Sequence, residues 1–460
     1  MTKADSAIPP GTVPDARVRM RGLIAACAGN LVEWFDFFVY AYLAIYFAPS
    51  FFPTEDPTSQ LLSTAAIFAV GFLMRPLGGW LFGWIADTHG RKTSMMISVA
   101  MMSSGSLLIA LIPTYAQIGV FAPAVLLTAR LLQGLSVGAE YGTGATYISE
   151  IATKGRRGFF GSFQYATIIA GQLLALLTVI TLQQVLSPEA LSAWGWRIPF
   201  FMGAAFAVVV VYLRRAMVET ASSKEMHRKE SGSIRGLMAH KRAAALVVVF
   251  TAGGSLYFYT FTTYMQKFLV NSVGVDKSTA SFVMTSALIC FMIAQPLFGM
   301  LADRIGVRTH MLLFTGLATL FTTPILFAIQ STTNPYVAFA LILTGLLIAA
   351  FYTPISGLVK ADLFPPSIRA LGVGLPYAIG NAAFGGTAEY VALWFKSSGI
   401  ETWFFYYVPL LAFFAFLASW LLPNLGKHGY LDGDGRIEEN IRLSHAGRPE
   451  DPEPTERRAA

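Results

Sequence analysis

The sequence predicts an all-α polytopic membrane protein with twelve transmembrane helices in two pseudo-symmetric six-helix bundles. The first observation is composition: 55% of the 460 residues are hydrophobic and 13% are charged, whereas a soluble domain carries about 25% charged residues. The second is a series of twelve apolar segments that are long enough to cross a bilayer. The third is a pair of charged motifs that occurs once in each half of the chain.

The apolar segments are separated by short polar connections, as expected for consecutive membrane helices. Most of them contain Gly or Pro, which membrane helices tolerate better than soluble helices do. Their predicted bounds are 22–48, 61–84, 95–114, 120–148, 159–184, 196–215, 243–270, 279–300, 310–330, 336–360, 370–396 and 403–422.

The distribution of Lys and Arg predicts the orientation. One set of connections carries nearly all of the basic residues, with Arg214 and Lys360 counted among them, and the opposite set offers only Lys277 and Lys396. By the positive-inside rule the basic side, with both termini, is cytoplasmic. The net charge of +7 therefore reflects topology, and a lipid bilayer rather than nucleic acid is the expected partner. Two cysteines are too few for a disulfide framework, and no metal site is expected.

The same pattern divides the chain into five parts, the last of which is polar, Pro-containing and expected to be disordered. They are a cytoplasmic N-terminal segment (1–21), an N-terminal six-helix bundle (22–215), a cytoplasmic central loop (216–242), a C-terminal six-helix bundle (243–425) and a cytoplasmic tail (426–460).

Two charged motifs are repeated between the halves. The segment 83–92 returns at 299–308, an offset of 216 residues, and Glu150 with Arg157 returns as Asp362 with Arg369, an offset of 212. Such duplication is typical of secondary transporters. We expect the two motif Asp residues just past helix ends, where they can pair with basic residues or cap a neighbouring helix N-terminus. The predicted ionic latch of the cytoplasmic gate comprises Asp87, Arg91, Glu150, Arg157, Asp303, Arg308, Asp362 and Arg369. The alternative is that these charges only set topology.

Eight ionisable residues fall inside the predicted spans, where a charge costs about 2.5–3.5 kcal/mol. Glu33 and Arg130 both lie near the predicted midplane and are expected to pair. Arg75 and Glu140 form a second expected pair in the cytoplasmic third. Each of these pairs has two interpretations. It takes part in the function of the protein, or it only fixes how the helices pack. The remaining four are Asp36, Arg197, Lys267 and Glu389, and the two cations among them are equally well explained by snorkelling to the interface.

Any transported proton must be carried by a carboxylate, because the histidines lie outside the spans, apart from His310 at the very start of one. Burial raises a carboxyl pKa and a nearby Arg lowers it, so one acid can load and release a proton near neutral pH. We therefore expect Glu33 or Asp36, gated by Arg130, to be the proton-coupling site. The sequence leaves open which acid carries the proton.

The repeated loop motif resembles the signature of the major facilitator superfamily in both halves. Thr88 departs from it, because a basic residue is usual at that position. Segments 29–36, 72–79, 130–142 and 194–200 are similar to the metabolite:proton symporter branch of that superfamily. The resemblance covers residues 22–425.

This resemblance implies a monomeric transporter of the bacterial inner membrane, not an enzyme, that imports a small organic acid together with H⁺ by alternating access. The proton gradient supplies the energy and no cofactor is needed. Segments 261–271, 369–375 and 381–393 resemble the members that carry α-ketoglutarate, so this dicarboxylate is the expected substrate. Citrate, shikimate or a zwitterionic osmolyte such as proline or betaine are the alternatives.

A dicarboxylate needs cations or strong hydrogen-bond donors in an otherwise dry cavity. Arg130 and Arg75 are the first expected ligands of such a substrate, and Arg197 and Lys267 follow. The remaining candidates, for which helix packing is an equally good interpretation, are Tyr257, Tyr264, Gln164 and Asn381.

Overall fold

The computed structural model describes residues 15–53, 57–215, 217–221, 226, 231–433 and 435. Within these ranges the chain is helical, without β-strands. Six spanning helices form the N-half: α1 (Ala16–Phe51), α2 (Pro57–Leu73 continuing as Arg75–His89), α3 (Arg91–Leu111), α4 (Phe121–Ile151), α5 (Arg157–Val185) and α6 (Ile198–Arg215). Six more form the C-half: α7 (Lys241–Tyr259, extended by further turns to Val273), α8 (Lys277–Ile305), α9 (Val307–Gln330), α10 (Pro335–Ala349 and Ser356–Asp362), α11 (Arg369–Gly380 and Ala388–Ser397) and α12 (Phe404–Trp420).

The predicted class is confirmed. Eleven stretches of the described chain are continuous, long and apolar enough to cross a membrane. The twelfth span is α11, which a π-helical turn at Asn381–Gly385 interrupts. Two more π-helical turns, Thr260–Tyr264 and Leu269–Val273, lie in the last part of α7. Such turns are frequent at functional sites in helices.

Several helices extend beyond the predicted apolar segments at one end of the bundle. Helix α2 continues to His89 and α8 to Ile305, about one turn past the predicted ends at 84 and 300. Hydropathy drops at the first charged residue, but a helix continues wherever its charges find partners. We call the end that carries 87–91, 150–157, 303–308 and 362–369 the loop end, and the opposite end the distal end.

The two halves contact each other mainly through two helix pairs, α2 with α11 and α5 with α8. Glycines allow these close approaches. A Cβ at Gly83 of α2 would lie 2.7 Å from Cα of Leu371 in α11, and a Cβ at Gly158 of α5 would lie 2.5 Å from the carbonyl oxygen of Gly299 in α8. The largest hydrophobic core cluster therefore runs through both halves.

The predicted disorder of the tail is wrong for residues 426–433. Leu425–His428 forms a short helix, and the backbone N–H of Tyr430 donates to the carbonyl of Asp362 at 3.0 Å. This segment is ordered because its backbone groups find partners on the loop end. Residues 434 and 436–460 lie outside the described residues, as do residues 1–14. The predicted central loop also contains a short helix, Ile234–Ala239.

Candidate transport site

A cavity lies between the halves, about midway along the spanning helices. Helices α1, α2 and α4 line it from the N-half, and α11 lines it from the C-half. In this conformation the cavity is small, with room for about one water molecule. The lining residues are Glu33, Trp34, Arg75, Val137, Gly138, Tyr141, Tyr377 and Ala378.

Arg75 is the cation of this cavity. Its side chain is buried, and Nε and Nη2 have no hydrogen-bond partner among the described residues. Its guanidinium carbon lies 3.9 Å from the ring centroid of Phe72, 4.9 Å from Phe37 and 5.6 Å from Trp34. The aromatic faces stabilise the cation and leave its N–H donors available to an anion.

The predicted Arg75–Glu140 pair is wrong, because Arg214 takes Glu140. These two buried side chains form an ion pair, and the Ser98 hydroxyl donates to the same carboxylate at 3.1 Å. The prediction that Arg214 belongs to a cytoplasmic connection is wrong for its side chain, which is buried. Helix α6 reaches the loop end with its C-terminus, and helical side chains point back toward the N-terminus. The guanidinium of Arg214 therefore points into the membrane rather than into water.

Glu33 lies in the cavity with Arg75, and its Oε2 has no hydrogen-bond partner in the described chain. The predicted Glu33–Arg130 ion pair is not formed. Arg130 instead donates to Oε1 of Gln133 at 2.7 Å and lies over the ring of Tyr40 at 4.2 Å. The acid nearest the midplane therefore shares the cavity with a different arginine.

Asp36 is linked to Arg130 indirectly, inside the N-half. The Ser106 hydroxyl donates to Asp36 at 2.5 Å, and the amide of Gln133 donates to that hydroxyl at 2.9 Å. Because Gln133 also accepts from Arg130, the four side chains form one hydrogen-bonded chain. The two candidate proton carriers thus occupy different environments, one in the cavity and one within the bundle.

Lys360 is a buried cation that sequence reasoning counted among the cytoplasmic charges. Its Nζ donates to the Tyr141 hydroxyl at 2.9 Å and to the Ser356 hydroxyl at 2.8 Å. It also lies 4.6 Å from the ring centroid of Tyr377, which stacks on Tyr141 with centroids 3.5 Å apart. Like Arg214, it sits near the C-terminus of a helix that ends at the loop end, so its side chain points inward. The repeat offset of 212, which pairs Lys360 with the apolar Ile148, could have identified it.

Four predicted ligands lie away from the cavity. Tyr257 donates its hydroxyl to the carbonyl of Gly345 at 2.9 Å, as a packing contact within the C-half. The others lie toward the distal end: Arg197 donates to the carbonyl of Ile112, Lys267 forms an ion pair with Glu389, and Tyr264 donates to Glu401. The fold does not bring these four together.

Gln164 and Asn381 remain close to the inter-half region. The amide of Gln164 donates to the carbonyl of Tyr141 at 3.4 Å. Asn381 is buried at the π-helical turn of α11, and neither its amide nitrogen nor its amide oxygen has a partner in the described part of the chain. Asn381 therefore has free hydrogen-bonding capacity, whereas Gln164 already makes an inter-helix contact.

At the loop end, the two repeated Asp residues cap helices of the opposite half. Asp87 accepts from the backbone N–H groups of Ala370 and Leu371 at 3.1 and 2.9 Å. Asp303 accepts from those of Gly158 and Phe159 at 2.7 and 3.0 Å. The predicted placement just past helix ends is wrong, because both Asp residues lie in the last turns of their own helices. Each nevertheless satisfies the orphan N–H donors at the start of α11 or α5.

Glu150 connects the halves through two arginines. It pairs with Arg91 of the N-half at 3.4 Å and with Arg369 of the C-half at 2.8 Å. Arg91 also pairs with Asp87 at 2.8 Å and donates to the carbonyl of Pro366 at 2.8 Å. This first copy of the motif is therefore a buried, inter-half ion network.

The second copy of the motif differs because the tail occupies it. Arg157 pairs with Asp432 of the tail at 3.0 Å, and Asp362 accepts from the backbone N–H of Leu431 at 2.7 Å. Arg308 donates to the carbonyl of Trp420 within its own half, so its predicted place in the latch is wrong. The two motif copies are alike in sequence but not in their contacts.

No group of three or more His, Cys, Asp or Glu side chains is arranged to hold a metal ion in the described ranges. What the fold does contain is a duplicated six-helix unit, a buried cationic cavity between the two units and an ion network that joins them at one end. This combination defines the class of secondary transporters.

Comparison with known proteins agrees with this class. Residues 22–222 match the family described as Sugar (and other) transporter, and residues 255–435 match the Major Facilitator Superfamily. The chain is 58% identical to the Alpha-ketoglutarate permease of Escherichia coli K12, over 90% of this chain and 96% of that protein. It is 34% identical to a Citrate-proton symporter of Salmonella typhi, over 79% and 84% of the two chains.

A solved structure supports the fold. The proton:xylose symporter XylE bound to 6-bromo-6-deoxy-D-glucose superimposes with a TM-score of 0.74 at 16% identity, covering 88% of this chain and 96% of that one. The chain belongs to the major facilitator superfamily. It is a multi-pass membrane transporter rather than an enzyme.

Proposed function

We propose that this protein is a proton-coupled symporter that imports α-ketoglutarate across the bacterial inner membrane by alternating access. The observation that carries the proposal is the cavity between the halves, where Arg75 lies beside Glu33 and has N–H donors without a partner among the described residues. The 58% identical permease of Escherichia coli supports the choice of substrate.

Arg75 binds a carboxylate of the substrate. A guanidinium matches the planar geometry of a carboxylate and forms charge-assisted hydrogen bonds with it. In a water-poor cavity such bonds are stronger than in water. The aromatic rings of Phe72 and Phe37 hold the guanidinium in place, so little side-chain entropy is lost on binding.

Glu33 couples proton entry to anion entry. When ionised, it shares the cavity with Arg75 and competes with the substrate carboxylate for that cation. Protonation of Glu33 removes the competing negative charge and favours anion binding. Because an ionised carboxylate buried without full pairing is unfavourable, the proton and the anion enter the cavity together.

The ion network at the loop end closes one side of the pathway. The positive-inside rule places this end and both termini in the cytoplasm, so the described conformation is closed toward the cytoplasm. One chain supplies both halves of the cavity, and we propose that the monomer is the transport unit. The proton gradient drives uptake without a cofactor.

Citrate, shikimate and zwitterionic osmolytes are the competing substrates. The citrate symporter and proline/betaine relatives are 30–34% identical to this chain, well below the value for the α-ketoglutarate permease.

The test is uptake of labelled α-ketoglutarate into proteoliposomes, with unlabelled α-ketoglutarate, citrate, shikimate and proline as competitors. We expect uphill accumulation that requires an imposed ΔpH, and competition by α-ketoglutarate above all others. Arg75→Met should abolish uptake, while Arg197→Met, which alters an arginine near the distal end, should retain most of it. Passive equilibration without ΔpH dependence, or full uptake by Arg75→Met, would reject the proposal.

A further inference from the structure

We propose that Lys360 is the second anion-binding group of the transport site and selects dicarboxylates over monocarboxylates and zwitterions. This inference rests on the proposed function and specifies how its substrate is recognised. Arg75 binds one carboxylate of the substrate, and Lys360 binds the other.

The first argument is that Lys360 is buried without a carboxylate partner among the described residues. Its residue exposure is 0%, and its described hydrogen-bond partners are the hydroxyls of Tyr141 and Ser356. An ammonium carries three donors, so one remains available. Burying a cation among neutral groups is unfavourable unless an anion pairs with it. Arg91, Arg214 and Arg369 are also buried, and each has a carboxylate partner. Lys360 instead resembles Arg75 and Arg130, which are buried without a carboxylate partner among the described residues.

The second argument is position. Lys360 Nζ lies 4.8 Å from the ring centroid of Tyr141 and 4.6 Å from that of Tyr377. Both rings also line the cavity that contains Arg75. The stacked pair therefore contacts the cavity and also lies within about 5 Å of the ammonium. A modest shift of the stack would join Lys360 to the space beside Arg75.

The third argument is that the two cations belong to different halves. Arg75 is on α2 of the N-half and Lys360 is on α10 of the C-half, and the stack between them contains one ring from each half. A dicarboxylate held at both ends would bridge the two halves. Its binding would therefore stabilise the conformations in which the halves are close together over those in which they are apart. A monocarboxylate can neutralise only one of the two cations, and a zwitterion would place its own cation near one of them.

The experiment compares α-ketoglutarate with 2-oxopentanoate, which keeps the five-carbon 2-oxo acid but lacks the second carboxylate. Inhibition of labelled α-ketoglutarate binding by each compound is measured in detergent-solubilised protein. In the wild-type protein we expect α-ketoglutarate to bind about 10- to 100-fold more tightly, as expected for a charge-assisted contact. Lys360→Met should reduce this ratio to near one by weakening α-ketoglutarate alone.

Lys241→Met is the matched control, because Lys241 is exposed at the start of α7, and it should keep the wild-type ratio. A wild-type ratio in Lys360→Met would overturn the inference. If the Lys360→Met protein is not produced in folded form, Tyr141→Phe tests the same point, since it removes the hydroxyl that accepts a hydrogen bond from Lys360 Nζ. It should lower the ratio several-fold, and an unchanged ratio would again overturn the inference. Failure of the proposed function would differ, because wild-type protein would then not bind α-ketoglutarate.

Discussion

Buried arginines of the N-half differ in how their charge is neutralised. Arg214 pairs with Glu140 and donates to the carbonyl of Met95 at 2.5 Å, so its charge and much of its hydrogen-bonding capacity are used inside the protein. Arg75 is surrounded by aromatic rings, and two of its buried nitrogens have no hydrogen-bond partner in the described ranges. Breaking a pair of the first kind costs about 3–5 kcal/mol. The contrast distinguishes an arginine that stabilises the fold from one that is available to a ligand.

The two acids of α1 also differ at the residue scale, and the difference predicts their roles. Glu33→Gln should abolish ΔpH-driven accumulation but retain exchange of internal for external substrate, because the cavity then keeps a permanently neutral group beside Arg75. The measurement is counterflow and ΔpH-driven uptake in the same proteoliposomes.

Asp36→Asn provides the comparison. Its partners are Ser106 and, through Gln133, Arg130, and an Asn oxygen can still accept from Ser106. We expect reduced uptake that still depends on ΔpH. The reverse result, with Asp36→Asn uncoupled and Glu33→Gln still driven by ΔpH, would assign the proton to Asp36 and contradict the mechanism proposed for Glu33.

At the scale of single helices, the direction in which a helix runs determines where the charged end of a long basic side chain lies. Lys360 and Arg214 both stand near the C-terminal ends of helices, α10 and α6, that finish at the loop end. A helical side chain leans toward the N-terminus of its helix, so both cations extend toward the membrane centre. Positive-inside counting treats such residues as cytoplasmic because it considers sequence position and not helix direction.

The glycines of helix α4 lead to a second prediction at this scale, which concerns how closely α4 approaches α11. A Cβ at Gly142 would lie 2.6 Å from Cα of Gly374 in α11, so Gly142→Ala cannot be accommodated unless α4 and α11, which belong to different halves, move apart. We expect a loss of transport of about tenfold or more, since a 1.4 kcal/mol shift in the closing equilibrium is already tenfold. Maleimide labelling of a Ser356→Cys reporter, buried in the closed form, should become faster.

Gly144→Ala is the matched control on the same helix. A Cβ at Gly144 meets no heavy atom within 4 Å, so transport and reporter labelling should stay near their reference values. Equal behaviour of the two alanine variants would show that the α4–α11 approach does not limit closure.

At the scale of the whole molecule, closure of the loop end depends on a few inter-half contacts of unequal strength. Asp87 is fully buried, accepts two backbone N–H groups of α11 and pairs with Arg91. Asp432 reaches Arg157 from the tail, where both side chains are partly exposed. Buried charge-assisted contacts contribute about 1.5–3 kcal/mol, whereas exposed ion pairs contribute about 0–1 kcal/mol.

Neutralising Asp87 should therefore change transport much more than neutralising Asp432. We expect Asp87→Asn to lower the uptake rate about tenfold or more with normal membrane insertion, because the closed state loses charge-assisted bonds across the halves. Asp432→Asn should change the rate about twofold or less. Initial uptake rates, normalised to the inserted protein, provide the measurement. Unchanged transport by Asp87→Asn would mean that these charges only set topology.

Sequence alone determined the twelve spans, their approximate bounds and the duplication of the loop motif. Hydropathy is averaged over consecutive residues, and each copy of a motif is a short consecutive segment. Both can therefore be recognised without knowing how the chain folds. The intramembrane candidates Glu33, Asp36, Arg75 and Arg130 were also identifiable, because a charge inside an apolar segment is conspicuous.

Only the tertiary structure decided which charges meet. Glu140 pairs with Arg214, 74 residues away, and Glu150 joins Arg369, 219 residues away. Lys360 becomes part of the centre because α10 directs it inward and Tyr141 of the other half receives it. Such pairings depend on how helices pack and on the direction in which each one runs. Depth along a span can be counted from the sequence, but the partner across the bundle cannot.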